Sequence, residues 1–412
     1  MSPRMPATPH GRMRRTVFRI AIVTALTLAL ALVGWGSYVS ILTASNASAC
    51  EVSVSDQTDE TDQQLDRVLA DYSRDNDGVG LQASVVLPDG TQRTAVAGYA
   101  DHSKRCPLTT RHHLYVGSIT KLYTAVLTMR QVDAGRLELD DPAGQWTDLE
   151  LPASITIRTL LNHTSGLVSY TEDPWFLARF FGLPDKRWEP AELLAAIDLD
   201  SARFAPGSRH EYSNSNYAVL GVVLETVTER SYGSALQDLL AEETEMPRHT
   251  FYRDRPSSTP IANGYDVSVL NLGRRNLTGF RTSFETGGYA AGGVLSTASD
   301  VAYFLDTLMT GELLGAESLE EMHDFVEAPD EDVPTQTGYG LGLRRLRIGE
   351  QVLVGHTGTI PGYSGIALHN PRHGVTIAVL SNQSTIDQAA LFADVQSAVL
   401  DGGLDVTRRP SP

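Results

Sequence analysis

Cysteine is nearly absent from this 412-residue chain, which has only Cys50 and Cys106. Two cysteines so far apart cannot form a zinc-ligand pattern, so no metal site is expected. His369 and His373 do not change this, because Pro371 between them breaks any helix that would bring both rings to one face. Lysine is almost as scarce, with only Lys104, Lys121 and Lys186. The 33 Lys and Arg residues are outnumbered by 50 Asp and Glu, giving a net charge of −17. Such a surface repels phosphate backbones and argues against a nucleic-acid partner. The chain also lacks a Walker loop, a Gly-x-Gly-x-x-Gly fingerprint and a Gly-x-Ser-x-Gly elbow. That leaves no nucleotide signature and no sign of an α/β-hydrolase nucleophile. No cofactor is called for, and no internal repeat or low-complexity tract is present.

The first 50 residues reverse the charge pattern: they hold Arg4, Arg12, Arg14, Arg15 and Arg19 and no acidic residue. A basic stretch over 1–19 followed by an apolar run from Ile20 to Val33 reads as a secretory signal. Ala47-Ser48-Ala49 supplies small residues for cleavage before Cys50. Two alternatives stay open. Val17 to Leu42 exceeds the roughly 20 residues needed to span a bilayer as an uncleaved anchor, and the upstream arginines would then hold the N-terminus in the cytoplasm. Ser48-Ala49-Cys50 also resembles the end of a lipoprotein box. Each version places the rest of the chain outside the cytoplasm, secreted or held at the outer face of the membrane. In an oxidising compartment Cys50 and Cys106 can form a disulfide. Residues 50–64 are polar and acidic and read as a tether. Residues 65–402 then form the domain, and 403–412 a loose tail.

Within the domain, Leu65 to Tyr72 is helix-like. Leu81 to Leu87 and Thr91 to Tyr99 are strands across a Pro88-Asp89-Gly90 turn, which makes a hairpin. Ser118 opens a helix in which Leu122, Ala125, Val126 and Met129 recur at helical spacing, and Gly135 ends it. Roughly 130 to 320 is mostly helical, with Ala218 to Glu229, Ser234 to Glu242 and Asp300 to Met309 (capped at Ser299) as the clear stretches. Strands return at Gln351 to Val354, Tyr363 to His369 and Val375 to Ser381. Ile386 to Leu400 is a closing helix. Strands at both ends with helices between predict an α/β fold. One sheet is built from distant segments, and an inserted helical lobe leaves a cleft beside it.

Three short motifs carry the chemistry. In Ser118-Ile119-Thr120-Lys121 a hydroxyl and an amine lie one turn apart on one helix face. A serine attacks only after a base takes its proton, and Lys121 is the nearest candidate once burial lowers its pKa. The helix N-terminus leaves amide groups free to hold an oxyanion. In Tyr212-Ser213-Asn214, Tyr212 serves as a base if nearby cations stabilise phenolate. Asn214 can hydrogen-bond a substrate amide and Lys121. In His356-Thr357-Gly358, which follows the strand, the glycine would let a substrate backbone approach closely. Thr357 would bind a carboxylate, His356 would polarise the site or orient Tyr212, and the Thr359 amide would be a second oxyanion donor. Which of Lys121 and Tyr212 is the principal base stays open.

The order of these motifs resembles the serine beta-lactamase superfamily, in its class C-like branch of D-alanyl-D-alanine carboxypeptidases and carboxylesterases. The resemblance runs from about 65 to 400. It extends to Leu160-Leu161-Asn162-His163-Thr164-Ser165-Gly166-Leu167, to Phe204-Ala205-Pro206-Gly207 with Tyr217 and Leu220-Gly221, and to Ala291 through Thr297 with Asp300. It implies an antiparallel sheet flanked by helices with an all-helical lobe. Ser118 would be the acylated nucleophile, Lys121 and Tyr212 proton shuttles, Asn214 a substrate ligand, and the Ser118 and Thr359 amides the oxyanion hole. His356 stands where many lactamases of this branch have Lys, and His-Thr-Gly is more like a subset of the carboxypeptidases. The expected substrate is a D-alanine-terminated cell-wall peptide, with an ester or β-lactam as alternatives. A catalytically silent penicillin-binding-like sensor domain is the alternative of another class.

Overall fold

The computed structural model describes residues 50, 63–197, 199, 202–242, 249–267 and 274–401. All of them belong to the unit Ala47–Pro412. The signal or anchor expected over 1–49 lies outside the described residues, as do most of the tether and the tail. Among the described residues, no helix is long and apolar enough to cross a membrane.

The run Leu81–Val86, which alternates Leu81, Ala83 and Val85 with Gln82 and Ser84, forms β1 and Gln92–Ala97 forms β2. The later strands are Val326–Glu327 (β3), Gln336–Tyr339 (β4), Arg344–Ile348 (β5), Gln351–Ile360 (β6), Tyr363–Asn370 (β7) and Val375–Ser381 (β8). They form one antiparallel sheet in the order β2-β1-β8-β7-β6-β5-β4-β3. The first hairpin therefore joins the last strand, with Leu81 opposite Ser381. Alternation along β1 sends Leu81, Ala83 and Val85 to one face. There they meet Ile366, Leu368, Ile377 and Val379, together with Leu65 and Leu69 of α1 (Gln63–Asp75) and Leu391, Phe392 and Val395 of the closing helix Gln388–Asp401. The opposite face of β1 carries Gln82, whose amide is spent on backbone: Nε2 donates to the Thr109 and His112 carbonyls, and Oε1 accepts from Ala298 N–H. That side meets the helix Ala298–Met309 and the helical lobe.

Several boundaries differ from the sequence reading. The first helix starts at Gln63, so Gln63 and Gln64 are helix rather than tether. The cap of the helix at 298 is Thr297, whose hydroxyl accepts from the Asp300 amide, rather than Ser299. β3, β4 and β5 fall in a region whose Gly- and Arg-rich sequence gives little alternation. The strand at 351 does not stop at Val354 but runs to Ile360, so His356 to Thr359 lie inside it. Cys50 and Cys106 are joined by a disulfide with their Cα atoms 5.3 Å apart.

Candidate active site

The helix α2 (Thr120–Asp133) is entered through a single 3₁₀ turn, Gly117–Ile119, so Ser118 sits at its N-terminal end. That turn lies directly against β6, and two glycines make this possible. A Cβ on Gly358 would stand 2.0 Å from the Val116 carbonyl oxygen and 3.0 Å from the Ser118 amide nitrogen. A Cβ on Gly117, whose φ is +54°, would stand 2.7 Å from the Thr359 amide nitrogen. Side chains at either position would push turn and strand apart. Their absence brings the Ser118 and Thr359 amides to neighbouring positions on one wall. Gly358 thus lets in the turn that carries Ser118, and it also lines the cleft beside that turn.

Lys121 is fully buried one turn beyond Ser118. Its Nζ donates to Ser118 Oγ at 3.2 Å, Asn214 Oδ1 at 2.9 Å and the Ala291 carbonyl at 2.7 Å. Burial lowers its pKa, the field of Arg344 adds to that, and Tyr212 opposes it. Asn214 opens the helix α4 (Asn214–Thr228). Its Nδ2 donates to Thr171 Oγ1 at 3.1 Å, which fixes the amide so that Oδ1 faces the lysine. Tyr212 lies across this group, with Lys121 Nζ 4.8 Å and Arg344 Cζ 4.7 Å from its ring centre. Its phenol oxygen is buried without a hydrogen bond of good geometry. Burial would raise this phenol, but Lys121 and Arg344, with lesser help from Ser118, outweigh it and hold the pKa below the ordinary value. The condition set by the sequence, cations beside Tyr212, is met by one residue expected there and one that was not.

That unexpected residue is Arg344, the first of β5. It is 4% exposed and paired with Asp330 at 3.1 Å. Arg344 lowers both Tyr212 and Lys121, so its removal moves both pKa values upward. Whichever of the pair takes the serine proton, the ascending limb of kcat/KM against pH is expected to move to higher pH in Arg344→Met. Asp330→Asn is combined with it to avoid stranding a buried carboxylate. The rate at pH 7 is expected to fall about tenfold or more, a part of the about 10²–10⁴-fold that a positioned base supplies. A pH–rate profile of the double variant with an unmoved limb would rule this out.

His356 is fully buried and lines no part of the cleft, which corrects its assignment as a substrate ligand. Tyr339 Oη lies 2.9 Å from His356 Nε2 and 3.2 Å from His163 Nε2. His163 Nδ1 accepts from the Ser213 amide at 3.2 Å and from Asn216 Nδ2 at 2.9 Å. His163 therefore carries its proton on Nε2 and donates it to Tyr339. Tyr339 donates to His356 Nε2, and His356 Nδ1–H donates to the Thr357 carbonyl;. Burial first, then the surrounding cations, drive both imidazoles well below their ordinary pKa, so this chain is neutral and one-directional. It ties His163 of the Asn-His-Thr-Ser segment to the strand that carries Thr359. Tyr339→Phe leaves the two buried ring nitrogens without the hydroxyl they share. A loss of about 1–3 kcal/mol of stability is expected, measurable by denaturant unfolding.

Thr357 and Thr359 line the cleft with Ser118, Tyr212, Asn214 and Arg344 in a polar cavity of about 1000 Å³. β5 pairs with β6 only as far as Arg344 opposite Gly355, so residues 356–360 keep a free edge on that side. The structure thus gathers Ser118, Lys121, Tyr212, Asn214, Thr357, Gly358 and Thr359 into one place. The sequence reading did not assign roles to Arg344, Tyr339 or His163. His163 was visible within its motif, and the structure adds the partner it serves. Among the described residues no cluster of His, Cys, Asp or Glu could hold a metal.

Antiparallel sheet, helical lobe and a Ser–Lys–Tyr cleft at their junction define the class: a serine hydrolase of β-lactamase/transpeptidase fold. Sequence comparison gives the family: the Beta-lactamase profile matches residues 65–399, and the chain belongs to that family. It is 26% identical over 336 residues to penicillin-binding protein 4* of Bacillus subtilis (strain 168), covering 76% of this chain and 71% of that protein. Several other curated relatives are longer, and the chain spans 64% of their length. Among solved structures, a D-stereospecific amidohydrolase from Streptomyces sp. superposes with a TM-score of 0.70 at 29% identity, covering 82% of this chain and 98% of that one. A D-amino acid amidase from Ochrobactrum anthropi SV3, complexed with D-phenylalanine, gives 0.74 at 25% identity, with the same coverage.

Proposed function

We propose that this protein hydrolyses amide bonds of D-configured substrates through an acyl-enzyme on Ser118, working as a D-alanyl-D-alanine carboxypeptidase-like enzyme on cell-wall peptides. The observation that carries the reading is the amine of Lys121 held between Ser118 Oγ and Asn214 Oδ1, beside a phenol whose pKa two cations depress. In this scheme the Lys121–Tyr212 pair takes the Ser118 proton as Oγ attacks the carbonyl carbon. The developing oxyanion sits on the Ser118 and Thr359 amides. As the intermediate collapses, the same pair returns the proton to the leaving amine. A water then enters and attacks the acyl carbon while the pair takes its proton; the pair gives that proton to Ser118 Oγ as the ester bond breaks, which releases the acid and free Ser118. The free edge of β6 suits an extended, peptide-like substrate laid alongside it, and Thr357 with Arg344 suits a carboxylate on the leaving portion. The likeness to a D-stereospecific amidohydrolase and a D-amino acid amidase supports the stereochemistry.

Export belongs to the same proposal. It rests on the basic and apolar N-terminal segment, and the Cys50–Cys106 disulfide supports an oxidising compartment;. Fractionation with intact-mass analysis of the mature protein distinguishes cleaved, lipidated and anchored forms. A cytoplasmic full-length product would overturn export.

The activity is tested with a D-Ala-D-Ala peptide, nitrocefin and p-nitrophenyl butyrate, alongside intact-mass detection of a penicillin or fluorophosphonate adduct. Turnover of the D-peptide with an adduct at Ser118 is expected. Turnover confined to nitrocefin or the butyrate would move the protein to the lactamase or carboxylesterase reading, and an adduct without turnover to a sensor domain.

A further inference from the structure

The cleft forks at Ser118. One limb is the polar cavity already described, lined by Tyr212, Arg344, Thr357, Arg209 and Glu211. The other is a separate recess of about 230 Å³ that shares only Ser118, Thr171, Asn214 and Thr359 with the first. Its walls are Tyr170, Leu177, Phe180, Phe181, Ile360 and Pro361. Leu177, Phe180 and Phe181 fall at i, i+3 and i+4 of α3 (Pro174–Gly182) and so present one face of that helix;. The floor is made of Gly287, Gly288, Ala291 and Gly292 of the helix Arg281–Gly292. A Cβ at Gly287 would stand 2.8 Å from the Phe180 ring. The glycine thus lets an aromatic ring settle against the floor. Apart from Ser118, Thr171, Asn214 and Thr359, which it shares with the polar limb, and the Tyr170 hydroxyl, which donates to the Gly287 carbonyl, the recess is lined by apolar side chains, glycines and an alanine.

The two limbs serve opposite ends of the substrate, and the chemistry decides which. The departing amine must receive its proton from the Lys121–Tyr212 pair, so it leaves through the limb that Tyr212 lines. The acyl portion stays bonded to Ser118 Oγ, and its side chain has only the other limb to enter. Resting on the acyl-enzyme reading above, we propose that the recess is the acyl side-chain pocket. The preferred acyl donor is then a D-amino-acid residue with a large apolar or aromatic side chain, ahead of the D-alanine of a cell-wall peptide, which is turned over but fills the recess poorly, and ahead of any charged residue. The volume allows it, since apolar cavities of about 150 Å³ already hold benzene. Leu177 and Phe181 sit at the pocket's outer rim, with Leu177 37% exposed. They set how large a group fits.

The test is a series of aminoacyl amides differing only in the acyl side chain (D-alanine, D-leucine, D-phenylalanine and D-aspartate), compared by kcat/KM in the full chain. D-phenylalaninamide is expected to exceed D-alaninamide by about tenfold or more, the scale on which even one methylene counts in an apolar pocket, and D-aspartamide is expected to be the poorest. In Leu177→Asp, a rim change that the fold should tolerate, the phenylalanine-to-alanine ratio is expected to fall about tenfold. Phe181→Ala, as the second variant, should lower the same ratio by withdrawing a wall. Because the readout is a ratio within one preparation, partial unfolding cancels. A wild-type enzyme indifferent to the side chain, or ratios unmoved in both variants, would overturn the pocket assignment while leaving the Ser118 acyl-enzyme intact. Absence of any fluorophosphonate adduct on Ser118 would instead remove the catalytic reading, and this inference with it.

Discussion

Ser118→Ala is expected to lower kcat on the D-amide substrates by at least about 10⁴-fold and to abolish the penicillin or fluorophosphonate adduct, with the fold unchanged. The size follows from how a nucleophile and its base act as a unit. Once either is gone, what survives is binding and oxyanion stabilisation, worth about 10³–10⁴-fold over water of the much larger total. The stability part follows from local contacts. Ser118 is partly exposed, and its hydroxyl accepts one hydrogen bond, from Lys121, which keeps two stronger partners in Asn214 and the Ala291 carbonyl. Its loss removes no core volume, so unfolding should move by less than about 1 kcal/mol. Initial rates, intact-protein mass and a denaturant melt on one preparation check all three points. An adduct of unchanged mass yield in the alanine variant would mean that another residue is acylated, and the scheme would be wrong at its first step.

The parts of this site legible in the sequence were those whose chemistry is local. Ser118 and Lys121 are one helical turn apart, so spacing alone puts amine beside hydroxyl. With only three lysines in the chain, the pair stood out. The first hairpin and the two strands from 363 onward were legible because β-rich runs there are bounded by clear turn residues, Pro88-Asp89-Gly90 and Asn370 to Gly374. Arg344 and Tyr339 escaped for a physical reason. They lie on β4 and β5, short strands carrying glycines and several arginines, and their neighbours in the sheet are set by pairing across sequence gaps. Nothing local in Tyr-Gly-Leu-Gly-Leu-Arg says that this arginine will be buried against a tyrosine 132 positions earlier. His356 was misplaced by the same limitation. Its motif is local, but whether its ring faces cleft or core depends on the strand running on to Ile360, and Thr-Gly-Thr carries little strand signal. The Cys50–Cys106 link was left open because no spacing reports the 5.3 Å between Cα atoms.

Lys121→Met removes the amine but keeps its apolar stem, and it has two consequences of known sign. Activity should fall by about 10³-fold or more, since both the base and its orientation of Ser118 are lost. The second consequence is in stability. Burial lowers the folded-state pKa of Lys121 below its ordinary value, and the cations lower that of Tyr212 below its own. Between the folded and unfolded values of each group, the unfolded chain binds more protons than the folded one. Stability therefore rises with pH across that alkaline window. The two protons belong to one coupled pair, so the window is shared between them. Methionine deletes the first contribution outright and weakens the second, because Tyr212 loses the cation that lowers it most while Arg344 stays. The stability of wild type minus variant should therefore climb from neutral pH toward the unfolded lysine value. Denaturant melts of both proteins at a series of pH values give this difference directly. A flat difference would mean that Lys121 is as protonated in the folded enzyme as in water, and an amine in that state could not accept the serine proton.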